Sequence, residues 1–274
     1  MKALTTSSLI VLAAVAGAAL AVERSLPGGG EFALVEIPES AVHHGTTHDP
    51  RVRESVANGT STNWSGYAVE TSLASPQNGV VTDVKGSWTV PSVTATDSSV
   101  TYSSIWVGID GDTSKTVEQC GTEQDVVKGT VVNYAWFEMY PKRAYRILNF
   151  PVSPNDVIHA EVSRSGRLYT LTLENATQHA SFTITLKMNS ADDSSAEWIV
   201  EAPSGGHVLP LANFGTASMY DCTATLNGHT GPIDDSAWEN EQITMQSGTT
   251  VKAVPSGLTT AAGKSAFTVD WKHE

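Results

Sequence analysis

From Asn63 onward the chain is a succession of short runs, many alternating apolar and polar residues, separated by Gly, Pro, Asn and Asp. "GSWTVPSV", "SSIWVGID", "TVVNYAWFEMYP", "DVIHAEVSRSG", "RLYTLTLENAT", "ASFTITLKM", "AEWIVE" and "SAFTVDW" are examples. Phe182, Ile184, Leu186 and Met188 share one face of such a run, as do Phe267, Val269 and Trp271. Thr, Val and aromatic residues, which suit a pleated, half-buried surface, are abundant in them. No segment carries a long helical stripe. Strands without crossover helices predict antiparallel sheets packed face to face, hence an all-β sandwich. Ser165-Gly166, between two alternating runs, predicts a hairpin. With no internal repeat and no linker, residues 58–274 read as a single domain.

The N-terminus differs. Lys2 is followed by an uncharged apolar stretch, Leu9 to Leu20, and a small-x-small site at Ala19–Ala21. This is the pattern of a secretory signal peptide over residues 1–21, too short for a membrane anchor. Residues 22–57 include "SLPGGGEF" and "HHGTTHDPRVRESVANGTS", polar and without sustained periodicity. They read as a prosegment or a loose N-terminal arm whose histidines could charge on acidification. The expected product is exported, has no membrane anchor and is a monomer.

The net charge of −13, from 16 basic and 29 acidic residues, argues against a nucleic-acid partner, which needs a basic surface. The same balance leaves few ion pairs for acid to break, so an acid habitat is allowed. Export permits a disulfide between Cys120 and Cys222, with two buried free thiols as the alternative. Asn58, Asn63 and Asn175 lie in glycosylation sequons.

Familiar catalytic signatures are missing: the chain has no GxSxG, HExxH or CxxC, and His159, His179, His207 and His229 lack metal-ligand spacing. No metal and no cofactor are implied. In "YAWFEMYP" the alternation puts Tyr134, Trp136, Glu138 and Tyr140 on one face, an aromatic wall holding a carboxylate. Ala135, Phe137 and Met139 face the core. In "SAEWIVEAP" Glu197, Ile199 and Glu201 share a face, and Pro203 puts Glu201 near a strand end. "WVGIDGD" sets Trp106 and Asp110 on one face before a Gly111-Asp112 turn, with Gln119 of "TVEQCG" on the returning strand.

Together with "NWSGYA" and "GSWTVPSV", these elements occur in the order found in the glutamic peptidases (the eqolisins, peptidase G1), which the sequence resembles from about Asn63 to Trp271. Glu118 departs from the family's more apolar approach to the glutamine. The resemblance implies two large, bent antiparallel sheets, a concanavalin A-like sandwich of jelly-roll type, with a substrate channel on one face. It implies a secreted acid endopeptidase acting on proteins and peptides through Gln119 and Glu201. Trp106, Asp110, Glu138, Tyr134, Trp136 and Tyr140 would line or support the cleft. Glu201, not Glu197, matches the family's glutamate. Asp110 and Glu138 are expected to be protonated or hydrogen-bonded in the working site. Two other readings compete. A glycoside hydrolase would use Glu138 and Glu201 as its carboxylate pair and give Gln119 no role. A binding module would use Trp106, Trp136 and Tyr134 as a platform.

Overall fold

The structure, a computed structural model, describes residues 32–37, 52–55, 58–94, 100–204 and 206–274. The expected signal peptide and most of the N-terminal arm lie outside the described residues. Among the described residues nineteen strands succeed one another: β1 Leu34–Glu36, β2 Val52–Ser55, β3 Asn58–Ser61, β4 Trp64–Glu70, β5 Val81–Thr89, β6 Ser104–Ile109, β7 Val117–Val127, β8 Thr130–Tyr140, β9 Tyr145–Ile147 and β10 Val157–Ser165. Then come β11 Leu168–Asn175, β12 Ala180–Lys187, β13 Ser195–Glu201, β14 Thr216–Leu226, β15 His229–Gly231, β16 Glu239–Ser247, β17 Thr250–Pro255, β18 Thr259–Ala261 and β19 Lys264–Trp271.

One sheet runs β1–β9–β8–β7–β6–β13–β4–β16. The second runs β12–β11–β10–β5–β14–β19. β17 bonds to both β16 and β19 and so links the two. The expected antiparallel sandwich is present, with one exception among the strand pairs: β3 runs parallel to β16. The β10–β11 hairpin forms, but Ser165 pairs with Leu168, so the turn is centred on Gly166-Arg167, one residue later than expected. Gly166 has φ 62°, a left-handed conformation that glycine adopts without a Cβ clash.

Alternation divides each strand between two environments. Tyr67, Val107, Cys120, Phe137, Trp198 and Val200 of the first sheet meet Trp88, Ile158, Leu171, Phe182, Met219 and Phe267 of the second. The buried indoles find acceptors across this core: Trp88 Nε1 donates to Thr122 Oγ1 at 2.9 Å and Trp198 Nε1 to Lys85 O at 2.6 Å. Cys120 and Cys222 are both buried and free, so the disulfide alternative is not realised. Burial pushes both thiols well up, which makes them packing residues rather than nucleophiles. The opposite face of the first sheet carries a second apolar cluster, which includes Trp64, Trp106, Trp136, Ile199 and Ile243. The candidate site lies there.

Candidate active site

Three rows of this outer face come from the strand register. Glu201 of β13 lies opposite Ser104 of β6, which lies opposite Glu123 of β7, which lies opposite Tyr134 of β8. The next row is Ile199, Trp106, Gly121 and Trp136. The third is Glu197, Gly108, Gln119 and Glu138. Gln119 and Glu201 therefore share a face, two strands apart and two rows apart, with the Trp106 row between them.

Trp106 connects these rows. Its Nε1 donates to Glu201 Oε2 at 2.7 Å. The other end of its indole lies at Gly108, which is paired with Gln119. A Cβ added to Gly108 would stand 3.0 Å from Trp106 Cζ3 and 3.2 Å from Gln119 Cβ. Gly121 lets the neighbouring strand bring the root of Trp106 close, since a Cβ there would lie 2.6 Å from Trp106 Cβ and 2.3 Å from Ile105 O. The glycines of "WVGIDG" and "TVEQCG" thus seat one tryptophan between the two polar side chains. Trp64 meets Trp106 edge to face at 4.8 Å.

Gln119, Glu138, Glu201 and Trp106 are all fully buried. Gln119 Nε2 donates to Glu138 Oε2 at 3.0 Å, which fixes the amide and commits one of its two N–H bonds. Glu201 is gripped from two sides: Trp106 holds Oε2, and Asn63 Nδ2 donates to Oε1 at 3.0 Å. Trp136 Nε1 donates to Ser104 Oγ at 3.0 Å, Arg146 lies 4.5 Å over the Tyr134 ring, and Tyr140 packs partly buried against the cluster.

Asp110 goes elsewhere. Its φ of 71° breaks the alternation that placed it beside Trp106. Its carboxylate instead accepts the backbone N–H of Asp192, Asp193 and Ser194, at 2.9, 2.8 and 2.9 Å, and the Thr116 hydroxyl at 3.1 Å. It pins the turn that leads into β13.

Asn63 and Glu123 were not singled out from sequence as site residues. In the sequence Asn63 carries a sequon and opens the "NWSGYA" motif with no role attached to it, and in the structure it is fully buried against Glu201. Asn175 is equally buried, donating to Pro151 O and Asp156 Oδ2, so neither sequon is open to glycosylation in the folded protein. Glu123 had a readable signal, the same parity as Gln119 and Gly121. Burial first, then the negative Asp125 and Glu201, pushes Glu123 well above the usual carboxylate range. Burial also pushes Asp125 up to about 7, with Glu123 and Arg146 acting in the opposite direction.

Behind the sheet Glu118 is fully buried with neither oxygen hydrogen-bonded, and burial, reinforced by Asp110 and Asp193, pushes it well up. These shifts fix the sign of a pH dependence. A carboxyl group raised in the folded state binds its proton more tightly there than in the unfolded chain. Its stabilising effect is complete below the unfolded value near 4 and is lost as pH rises through the folded value, about 7 for Asp125. Calorimetry should give a Tm several degrees lower at pH 8 than at pH 4, at about 2–4 °C per kcal/mol for a chain of this size. Glu118→Gln should recover part of that loss at pH 8 and change little at pH 4. An equal Tm at both pH values would contradict the assignment.

Comparison with known proteins adds lineage to geometry. The peptidase A4 family profile matches residues 62–269. Aspergillopepsin-2 of Aspergillus niger is 35% identical over 186 residues, covering 59% of this chain and 66% of that protein. Scytalidopepsin B of Scytalidium lignicola is 29% identical over 262 residues, covering 88% and 95%. The crystal structure of aspergilloglutamic peptidase from A. niger superposes with a TM-score of 0.55 at 29% identity, over 63% of this chain and 99% of that one. The fold is also that of scytalido-glutamic peptidase solved with a transition state analog inhibitor, at TM-score 0.63, 22% identity, and 77% and 98% coverage. Among the described residues no group of His, Cys, Asp and Glu could hold a metal ion, and no helix is long and apolar enough to cross a membrane.

Proposed function

The chain belongs to the peptidase A4 family, the glutamic peptidases, and on that premise we propose that it is a secreted acid endopeptidase whose working pair is Gln119 and Glu201. The observation that carries the reading is the Trp106 indole, hydrogen-bonded to Glu201 at one end and with its ring edge at Gly108, the residue paired with Gln119, at the other. In the proposed cycle the Glu201 carboxylate takes a proton from a water molecule, and the hydroxide so formed attacks the scissile carbonyl carbon. The carbonyl electrons move to oxygen, where the Gln119 amide N–H stabilises the negative charge. Collapse of the intermediate breaks the C–N bond, and Glu201 returns its proton to the leaving amine. No covalent enzyme intermediate is needed. Glu138 orients the amide, and protonated Glu123 leaves Glu201 as the base of its row.

Digestion of a denatured protein at pH 3–4, read by mass spectrometry, tests this proposal. New internal cleavages are expected. Intact substrate, with release of sugar from a glucan assayed in parallel, would favour the glycosidase reading instead.

The same site supports a zymogen reading of residues 22–57. β1, outside the family match, adds to the edge strand β9, and Ile37 then donates its N–H to Ala144 O at 2.9 Å. The Ile37 side chain is buried in the apolar cluster that contains Trp64, Trp106, Trp136 and Ile199. Burying an isoleucine contributes about 1.5–3 kcal/mol. Ile37→Asp in the unprocessed protein should therefore raise hydrolysis of a short fluorogenic peptide by about tenfold or more. Unchanged latency in a protein shown to retain its N-terminus would contradict the zymogen reading.

A further inference from the structure

We propose that Asn63 is a positioning residue for the general base, aiming the Glu201 carboxylate and holding it in its proton-accepting form. The inference rests on the dyad reading above and adds a residue to it.

The two oxygens of Glu201 are held by two neutral donors that arrive from opposite sides of β13. Trp106 belongs to β6, on one flank, and Asn63 immediately precedes β4, on the other. Two such bonds fix the plane of the carboxylate as well as its place. Asn63 is itself locked. Its Oδ1 accepts the Ser61 hydroxyl at 3.2 Å, so Nδ2 is the end presented to Glu201. Ser61 Oγ in turn accepts the backbone N–H of Asn63 at 3.3 Å and of Trp64 at 3.1 Å. Asn63 O accepts the N–H of Ala202 at 2.8 Å, tying the same residue to the chain just beyond Glu201. Ser61, Asn63 and Glu201 are all buried.

The choice of an amide has a chemical reason. The titratable groups on this face are mostly acids: Glu123 and Asp125 on β7, Glu138 on β8, Glu197 on β13 itself and Glu241 on β16, with Arg146 of β9 acting on Asp125. A base among so many carboxyl groups needs donors that do not titrate. Asn63 and Trp106 keep their N–H groups at every pH, and neither can pass a proton to the base. Hydrogen bonds donated to an ionised group are stronger than those to a neutral one, so they favour the carboxylate over the carboxylic acid.

The test is the pH profile of kcat for Asn63→Ala and Ser61→Ala in the mature enzyme. The acidic limb, where Glu201 takes up its proton, should move upward by about 1 pH unit in Asn63→Ala. A smaller shift in the same direction is expected for Ser61→Ala, with KM nearly unchanged in both. Partial unfolding lowers the amplitude of the profile and does not shift its midpoint, so a merely structural role would leave the limb in place. Asn63→Asp should be active only where the new carboxyl is protonated and able to donate, cutting the profile off from the alkaline side. If Asn63→Ala does not fold, Ser61→Ala carries the test alone. Acidic limbs that superimpose on the wild type would overturn the proposal while leaving the dyad intact. Wild-type rates in Glu201→Gln would overturn the dyad itself.

Discussion

Glu201→Gln should lower kcat for acid proteolysis by about 10²–10⁴, the usual contribution of a positioned general base. The substitution keeps the length and shape of the side chain but removes the group that accepts the proton. It also carries a built-in cost. Asn63 Nδ2 and Trp106 Nε1 donate to Glu201, one to each oxygen, so the new NH₂ must face one of them. A buried polar group left facing the wrong way costs about 1–3 kcal/mol. The variant should therefore melt somewhat lower as well as work slower. Measuring Tm at the assay pH separates the two effects, because a folded but inactive variant assigns the loss to chemistry.

Gln119→Ala should cost roughly 10²–10³ in kcat, about 3–4 kcal/mol, which is what loss of one oxyanion donor costs in comparable sites. The effect belongs in kcat rather than KM, since the N–H gains most when charge develops on the carbonyl oxygen. The removed side chain also released Glu138, whose Oε2 accepts the Gln119 amide. Gln119→Glu is the sharper companion. It retains the volume but sets a carboxyl against a carboxyl, and any activity it keeps should be confined to the lowest pH. A Gln119→Ala variant with an unchanged kcat would remove the glutamine from the mechanism.

Where strands are regular, the sequence reports the site well. The alternation in "YAWFEMYP" separates Tyr134 and Trp136 from Ala135, Phe137 and Met139 just as the two apolar clusters do. The same rule puts Glu197, Ile199 and Glu201 together and returns Gln119 to their face. It fails at Asp110, because one positive φ ends the period of two and the carboxylate turns to backbone N–H groups near residue 193. It fails at Asn63, which precedes its strand, where alternation assigns no face. The parallel contact of β3 with β16 and the bridging role of β17 depend on sheet curvature, which no local pattern encodes. The free state of Cys120 and Cys222 depends on distances across the core, equally invisible in a linear chain. Choosing Glu201 over Glu197 needed the family resemblance, since both carry the same parity.

The register sets Glu197, not Glu201, in the row of Gln119 and Glu138, so these two carboxylates are the pair to separate. The decisive measurement is kcat/KM on one peptide at one acid pH for Glu201→Gln beside Glu197→Gln, both shown to be folded. The account predicts a loss of a hundredfold or more in the first and a rate within about tenfold of wild type in the second. The reverse order, with Glu197→Gln inactive and Glu201→Gln near normal, would contradict it.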